Sequence, residues 1–129
     1  MAVMQSRDNR TFIAGEDLSS AQFKFVTLEA DGQVDLADAD AENCIGVCLV
    51  GGLAGAAVTV TVSGKVMVEA GGAITAGDAV VTNAAGEAVT LTASSSATAV
   101  TMGYALENGV DGQIIAIELI QGGNTSDQS

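Results

Sequence analysis

The stretch AVTVTVSGKVMVEA, residues 57–70, sets apolar side chains against polar or small ones. From Val58 to Ser63 the period is two, which is the period of a half-buried β-strand; a helix repeats every 3.6 residues. We therefore predict a strand, a turn or bulge at Ser63 and Gly64, and a second strand. The same period argues against a membrane-spanning helix in the uncharged segment 43–64, although its length alone would allow one.

Similar short apolar runs lie on both sides of this stretch. CIGVCLVGGLAG (44–55) reads as a buried strand that ends at a glycine turn, and DAVVTNAAGEAVTLTA (78–93) as a hairpin that turns near Gly86. VTMGYAL (100–106) and GQIIAIELI (112–120) read as a last hairpin. We predict about eight to ten strands in a small antiparallel β-sandwich or barrel with glycine-rich turns. At most one short helix is expected, at 37–44.

The chain of 129 residues is long enough for one domain with a hydrophobic core. We predict an N-terminal arm at 1–12, a single β-rich domain at 13–121 and a tail at 122–129. The arm and the tail are expected to be flexible, because both are polar and terminal. The N-terminus has no apolar run of the kind found in a signal peptide.

Charge excludes several classes of partner. Sixteen acidic residues against four basic ones give a formal net charge of −12. Nucleic-acid binding requires Lys and Arg to displace counterions, so neither DNA nor RNA is an expected partner, and anionic membranes are excluded on the same ground. Cys44 and Cys48 are too far apart along one strand for a disulfide, and we predict buried free thiols in a reducing compartment.

Catalytic patterns are absent from the sequence. Gly72 and Gly77 have the spacing of a phosphate-binding loop, but Asp78 stands where the lysine of such a loop is needed. The chain has no His, which removes Ser-His-Asp and Cys-His arrangements. We predict that the protein is not an enzyme and uses no cofactor or metal. The acidic segment 29–42 is interpreted as a solvated loop, with a calcium site as the alternative.

Six residues are predicted to form turns instead of a site. Gly71, Gly72 and Gly77 would provide backbone turns, and Asp78 would hold its turn through the side chain. Asn108 and Gly109 would lie at the last hairpin.

Two segments carry a resemblance to a known family. EAGGAITAGDAVVTNAAGEAVTLT (69–92) and TMGYALENGVDGQIIAIELI (101–120) resemble the tailed-phage capsid cement, or head decoration, proteins. The resemblance implies a β-rich protein, made in the host cytoplasm, on the outer surface of the phage head where capsid subunits meet. Such proteins often bind as trimers to the major capsid protein and stabilise the expanded shell. The family has no catalytic residues.

Two contact surfaces are predicted within this interpretation. The arm would bind the capsid by adding a strand to a capsid sheet, with contacts from Arg7, Arg10, Thr11 and Phe12. The last strand is apolar on both faces, so it would be central in a sandwich or pressed into a subunit interface. We predict Ile115, Ile117 and Leu119 near the trimer interface.

Two other functions are alternatives. A soluble β-domain that binds a carbohydrate or another small ligand would need a pocket with aromatic walls, and the chain has only four aromatic residues. A metal-dependent enzyme built on the acidic segment is the third hypothesis.

Overall fold

The computed structural model describes residues 5–91 and 100–120, with side chains from Asn9 onward. These residues form nine β-strands and no helix, which confirms the predicted all-β class. In chain order the strands are β1 (Gln5–Ile13), β2 (Phe25–Leu28), β3 (Val34–Leu36), β4 (Gly46–Val50), β5 (Ala57–Glu69), β6 (Ala79–Thr82), β7 (Ala88–Thr90), β8 (Gly103–Ala105) and β9 (Ile114–Leu119).

Strand β5 is the long central strand of the sheet. It has 13 residues, and its strand neighbours are antiparallel to it. Thr59 pairs with Thr11 of β1 on one edge and with Val50 of β4 on the other. β9 pairs with residues 64–69 on the same edge as β4, which gives the strand order β3-β2-β4-β5-β9-β8-β6-β7 with β1 beside β5.

The sheet curls into two halves that share β5. In the N-terminal half, Ala14 directly follows β1 and forms a parallel bridge with Val34 of β3, which joins the two ends of the order β1-β5-β4-β2-β3. In the C-terminal half, Ala70 directly follows β5 and bridges Ala88 of β7, which closes β5-β9-β8-β6-β7. Each half therefore resembles a small barrel, as predicted.

The sheet surrounds two hydrophobic cores, one inside the N-terminal half and a second in the C-terminal half that also includes Phe25, Ala37, Cys44 and Val47 of the N-terminal half. The alternation along β5 explains both, because its even-numbered valines point inward throughout. The N-terminal core includes Val26, Val58 and Val60, and the C-terminal core includes Val66 and Val68. Burial of each such side chain contributes about 1.5–3 kcal/mol.

Of the turn and the bulge predicted as alternatives at Ser63 and Gly64, the turn is wrong, and so is the division into two strands, whereas the irregular pairing at these residues supports the bulge. β5 continues through both residues, with Gly64 at φ +102°. The irregularity lies in the pairing with β1, whose register shifts between Ser6 and Asn9.

The predicted helix at 37–44 is wrong. The Glu42 carboxylate accepts hydrogen bonds from the backbone N–H groups of Asp38 (2.7 Å) and Ala39 (3.0 Å), so it ties the segment into a turn. Ala41 has φ +58°, which is outside the helical region, and its N–H donates to the carbonyl of Thr82 at 2.7 Å. Side-chain bonds of this kind compete with helix formation.

The predicted arm is a strand over most of its length. Residues 5–12 lie in β1, which pairs with β5 from Gln5 to Ile13, so this part of 1–12 is not a flexible extension. Residues 1–4 and the predicted tail, 122–129, lie outside the described residues.

Both cysteines are free and buried, as predicted. Burial, reinforced by the nearby Glu42 carboxylate, raises the pKa of the Cys44 thiol to about 12. Burial also raises the pKa of Cys48. Within the described ranges no helix has the length and apolar character needed to cross a membrane.

Candidate functional site

The predicted capsid-contact residues lie along β1 and alternate between two faces. Phe12 is half-buried and packs against the N-terminal core, opposite Val58. Thr11 is exposed on the other face, and Arg10 is exposed beside Val60. The side chain of Arg7 is outside the described part of the structure. Phe12 therefore anchors β1, and Thr11 is presented outward.

An uncharged surface surrounds Thr11. Directly paired residues of antiparallel strands point to the same face of a sheet. Thr11 therefore shares its face with Thr59 and Val50, and the next pair on that face is Ile13 and Ala57. The exposed fractions of Ile13 and Val50 are 41% and 55%. We call this surface, residues 11, 13, 50, 57 and 59, the outer β1–β5 face.

The basic residues concentrate on β1 and β5, the strands that provide most of this face, although Arg10 lies on the opposite face with Phe12 and Val60. Arg7 and Arg10 lie on β1 and Lys65 lies on β5, so three of the four basic residues of the chain occupy two paired strands. Glu118 is the direct partner of Lys65 across β5 and β9. β1 and β5 together contain three basic and two acidic residues, a net charge of +1 in a chain whose net charge is −12.

The second edge of β1 is open along its middle. Residues of an antiparallel pair alternate between exchanging hydrogen bonds and pointing their backbone groups outward. The Ala14 N–H donates to the Ala56 carbonyl at 2.9 Å, so by alternation Phe12 and Arg10 exchange bonds with β5. The backbone N–H and C=O of Thr11 then point away from β5. Apart from the bridge at Ala14, β5 is the only strand that pairs with β1 among the described residues.

The predicted trimer-interface residues lie inside the chain's own core. Ile115 and Ile117 are 0% exposed and Leu119 is 3% exposed. Their side chains fill the C-terminal half against β5 and β8. A side chain buried in this way cannot meet a second subunit, so the prediction is corrected. β9 has apolar residues on both faces because it is central in the curled sheet, the other possibility that its sequence allowed.

The predicted turn residues form one structural unit. The Asp78 carboxylate accepts hydrogen bonds from the Thr75 N–H and the Thr90 hydroxyl, both at 3.0 Å, so the side chain holds the turn as predicted. Gly77 lies inside that turn at φ +92°. The Asn108 side-chain oxygen accepts from the Ala76 N–H at 2.8 Å. Gly109 and Ile74 exchange two backbone hydrogen bonds of 2.9 Å, which join the two loops.

Gly71 and Gly72 lie just after β5. The Gly71 N–H donates to the Ala88 carbonyl at 2.8 Å and extends the bridge that closes the C-terminal half. Gly72 is half-buried, with open space where a Cβ atom would stand.

One carboxylate of the acidic segment, that of Asp35, lies in an electrostatically unfavourable environment. One Asp35 oxygen is buried and has no hydrogen-bond partner among the described residues. Burial raises the pKa of Asp35, and repulsion from Glu16, Glu29, Asp31 and Asp38 adds to the effect. Among residues 5–91 and 100–120, no group of three or more His, Cys, Asp or Glu side chains is placed to hold a metal ion.

Asp35→Asn is expected to raise the melting temperature at pH 7 by roughly 2 °C, as removal of a solvent-screened repulsion worth about 0.5 kcal/mol would. Because folding raises the pKa of this acid, the ionised form destabilises the folded state. The penalty is complete above the raised pKa and disappears as the pH falls below the ordinary value of 3.8. Thermal unfolding of both proteins from pH 3 to pH 7 measures this convergence. A constant difference at all pH values would contradict the assignment.

Comparisons with known proteins agree with this architecture. A family model described as phage cement protein matches residues 5–118. The structure is similar to the crystal structure of the head fiber gp8.5 N base of bacteriophage phi29, with a TM-score of 0.66 and 20% sequence identity over 88% of this chain and 93% of that one. Among curated proteins no sequence match was found. Since the family model covers nearly the whole described chain, this chain belongs to the phage cement protein family.

Proposed function

We propose that the chain binds the outer surface of a phage head where capsid subunits meet, and that it stabilises the expanded shell as a homotrimer. Its family gives it a structural, capsid-associated role, and the match over residues 5–118 is the observation that carries the proposal. The chemistry of the chain is compatible with this role. A net charge of −12 disfavours binding to nucleic acid, and two packed cores make a stiff block.

We further propose that the shell contact lies at β1. The open edge supplies unpaired backbone groups at Thr11, to which an extended segment of the major capsid protein can add as a strand. The edge strands β3 and β7 have three residues each, whereas β1 has nine. Long edges are normally protected in proteins that do not use them for pairing. The outer β1–β5 face and the basic residues of β1 would add side-chain contacts with the capsid protein.

Thr11→Pro tests this contact without removing the strand. Proline lacks the N–H that an added strand would use, but the Thr11 N–H points away from β5, so the pairing of β1 with β5 is retained. We expect about tenfold weaker binding to expanded shells, the effect of losing about 1.4 kcal/mol. Co-sedimentation with shells, with occupancy counted by electron microscopy, measures it.

Thr11→Val is the matched control, because it keeps the backbone N–H and the β-branched shape and should bind as the wild type does. Circular dichroism and melting temperature show whether both variants fold. Full occupancy by a folded Thr11→Pro protein would refute the β1 contact. Failure of the wild-type protein to bind shells would refute the capsid function itself.

A further inference from the structure

The two halves of the sheet repeat one architecture. Each begins with a strand that leads into a hairpin, then a short strand, then a strand that pairs back with the first. In the N-terminal half these are β1, the β2–β3 hairpin, β4 and the first part of β5. In the C-terminal half they are the last part of β5, the β6–β7 hairpin, β8 and β9. β5 therefore ends the first unit and begins the second.

Backbone hydrogen bonds repeat in the same places. Gly15 donates to Val34 at 2.8 Å, and Gly71 donates to Ala88 at 2.8 Å. Several further pairs of bonds correspond in the same way. The N–H of Leu18 donates to the carbonyl of Gly52 as that of Ile74 does to Gly109, and Cys48 donates to Lys24 as Ala105 does to Asp78. Ile45 donates to Val26 as Met102 does to Val80, and Gly32 donates to Glu29 as Gly86 does to Asn83. Agreement at this level extends beyond a shared strand order.

The repeat also explains an unusual backbone conformation. Phe23 has φ +68°, a value that side chains other than glycine rarely adopt. Its N–H donates to the Cys48 carbonyl at 2.7 Å, and in the second unit the Gly77 N–H donates to the Ala105 carbonyl at 2.8 Å. Gly77 has φ +92°, so Phe23 stands where the second unit has glycine.

One surface feature is repeated together with the backbone. The turn at 53–56 has Gly55 at φ +86°, and the turn at 110–113 has Gly112 at φ +86°. Gly55 donates to Ala14 at 2.8 Å, and Gly112 donates to Ala70 at 2.7 Å, so each turn is fixed to the residue that closes its own unit.

Each of these turns begins with an exposed apolar side chain. Leu53 is 66% exposed and Val110 is 62% exposed. They are the two most exposed large apolar side chains among the described residues, and they occupy equivalent positions in the two units. No other large apolar side chain of the described residues is exposed in both units. Leu28, for example, is 50% exposed, while Thr82 at the equivalent position is buried.

We propose that Leu53 and Val110 are two equivalent contact points, and that the partner presents the same apolar depression twice. Two similar contacts at a fixed spacing fit a surface built from neighbouring copies of one subunit. This inference rests on the proposed function, in which the partner is the phage shell. Two weak contacts on one rigid chain reinforce each other, because the first makes the second intramolecular.

Binding of full-length variants to expanded shells of the major capsid protein tests the inference. Loss of one exposed apolar side chain from a contact should weaken binding about tenfold. We expect Leu53→Ser and Val110→Ser each to show this loss, and the double variant to lose about a hundredfold. Leu28→Ser is the matched control and should bind as the wild type does. Melting temperatures verify that all four variants are folded.

Two results would overturn the inference while leaving the capsid function standing. One is wild-type affinity in both folded single variants. The other is a loss in only one of them, which would mean that the two turns are not equivalent contacts. Absence of binding by the wild-type protein would instead refute the proposed function and this inference with it.

Discussion

Replacing Gly46 by Ala is expected to lower the free energy of unfolding by about 3 kcal/mol, and Gly103→Ala should have a similar effect. Gly46 begins β4 and Gly103 begins β8, the equivalent strands of the two units. A Cβ atom on Gly46 would collide with the backbone carbonyl oxygen of Thr61, and one on Gly103 with that of Glu118. Both oxygens belong to paired strands of the sheet and cannot move away without disrupting strand pairing.

Thermal and urea unfolding measure the effect, which should appear as a drop of roughly 10 °C in melting temperature. Gly72→Ala is the matched control. A Cβ atom there would meet no atom within 4 Å, so we expect a change within about 0.5 kcal/mol. If Gly46→Ala and Gly103→Ala were as stable as Gly72→Ala, the two glycines could not be in close contact with the backbones of Thr61 and Glu118.

The sequence predicted the β-structure because strand periodicity is a local property. Alternation over residues 57–70 indicated β5, and the glycine turns at Gly86 and Gly112 separated the later strands correctly. Asp78 was also identified, because a side chain that closes its own turn depends on near neighbours. The two-unit repeat was not found. It is carried by backbone bonds and by glycines such as Gly46 and Gly103, while the side chains between them differ.

Errors arose where tertiary contacts overrode local preference. Residues 5–12 are polar and resemble a terminal arm, yet they form an edge strand because β5 offers an edge and Phe12 packs on the core. At 37–44 the prediction of a short helix is wrong because the Ala41 N–H donates its hydrogen bond to the Thr82 carbonyl, in another part of the sheet. The open edge at Thr11 could not be predicted, since it depends on which strands pair.

Ile117→Ala is expected to lower the free energy of unfolding of the isolated chain by about 2–5 kcal/mol, the usual cost of truncating a buried aliphatic side chain. Ile117 is 0% exposed and is paired with Val66 on one side and Ala105 on the other, all three within the C-terminal core. The cavity left by the lost atoms would be surrounded by β-strands that hold their positions through hydrogen bonds. The cavity therefore cannot collapse easily.

Glu118→Ala provides the comparison, because Glu118 is the next residue of β9 and its side chain is exposed. Surface substitutions of this kind usually change stability by less than about 0.5 kcal/mol. Urea unfolding at several protein concentrations separates core packing from subunit contact. A core residue destabilises the chain equally at all concentrations, whereas an interface residue would act mainly where subunits associate. If the Ile117→Ala protein unfolded like the wild type when dilute and differed only when concentrated, Ile117 would lie at a subunit interface and not in the core of the chain.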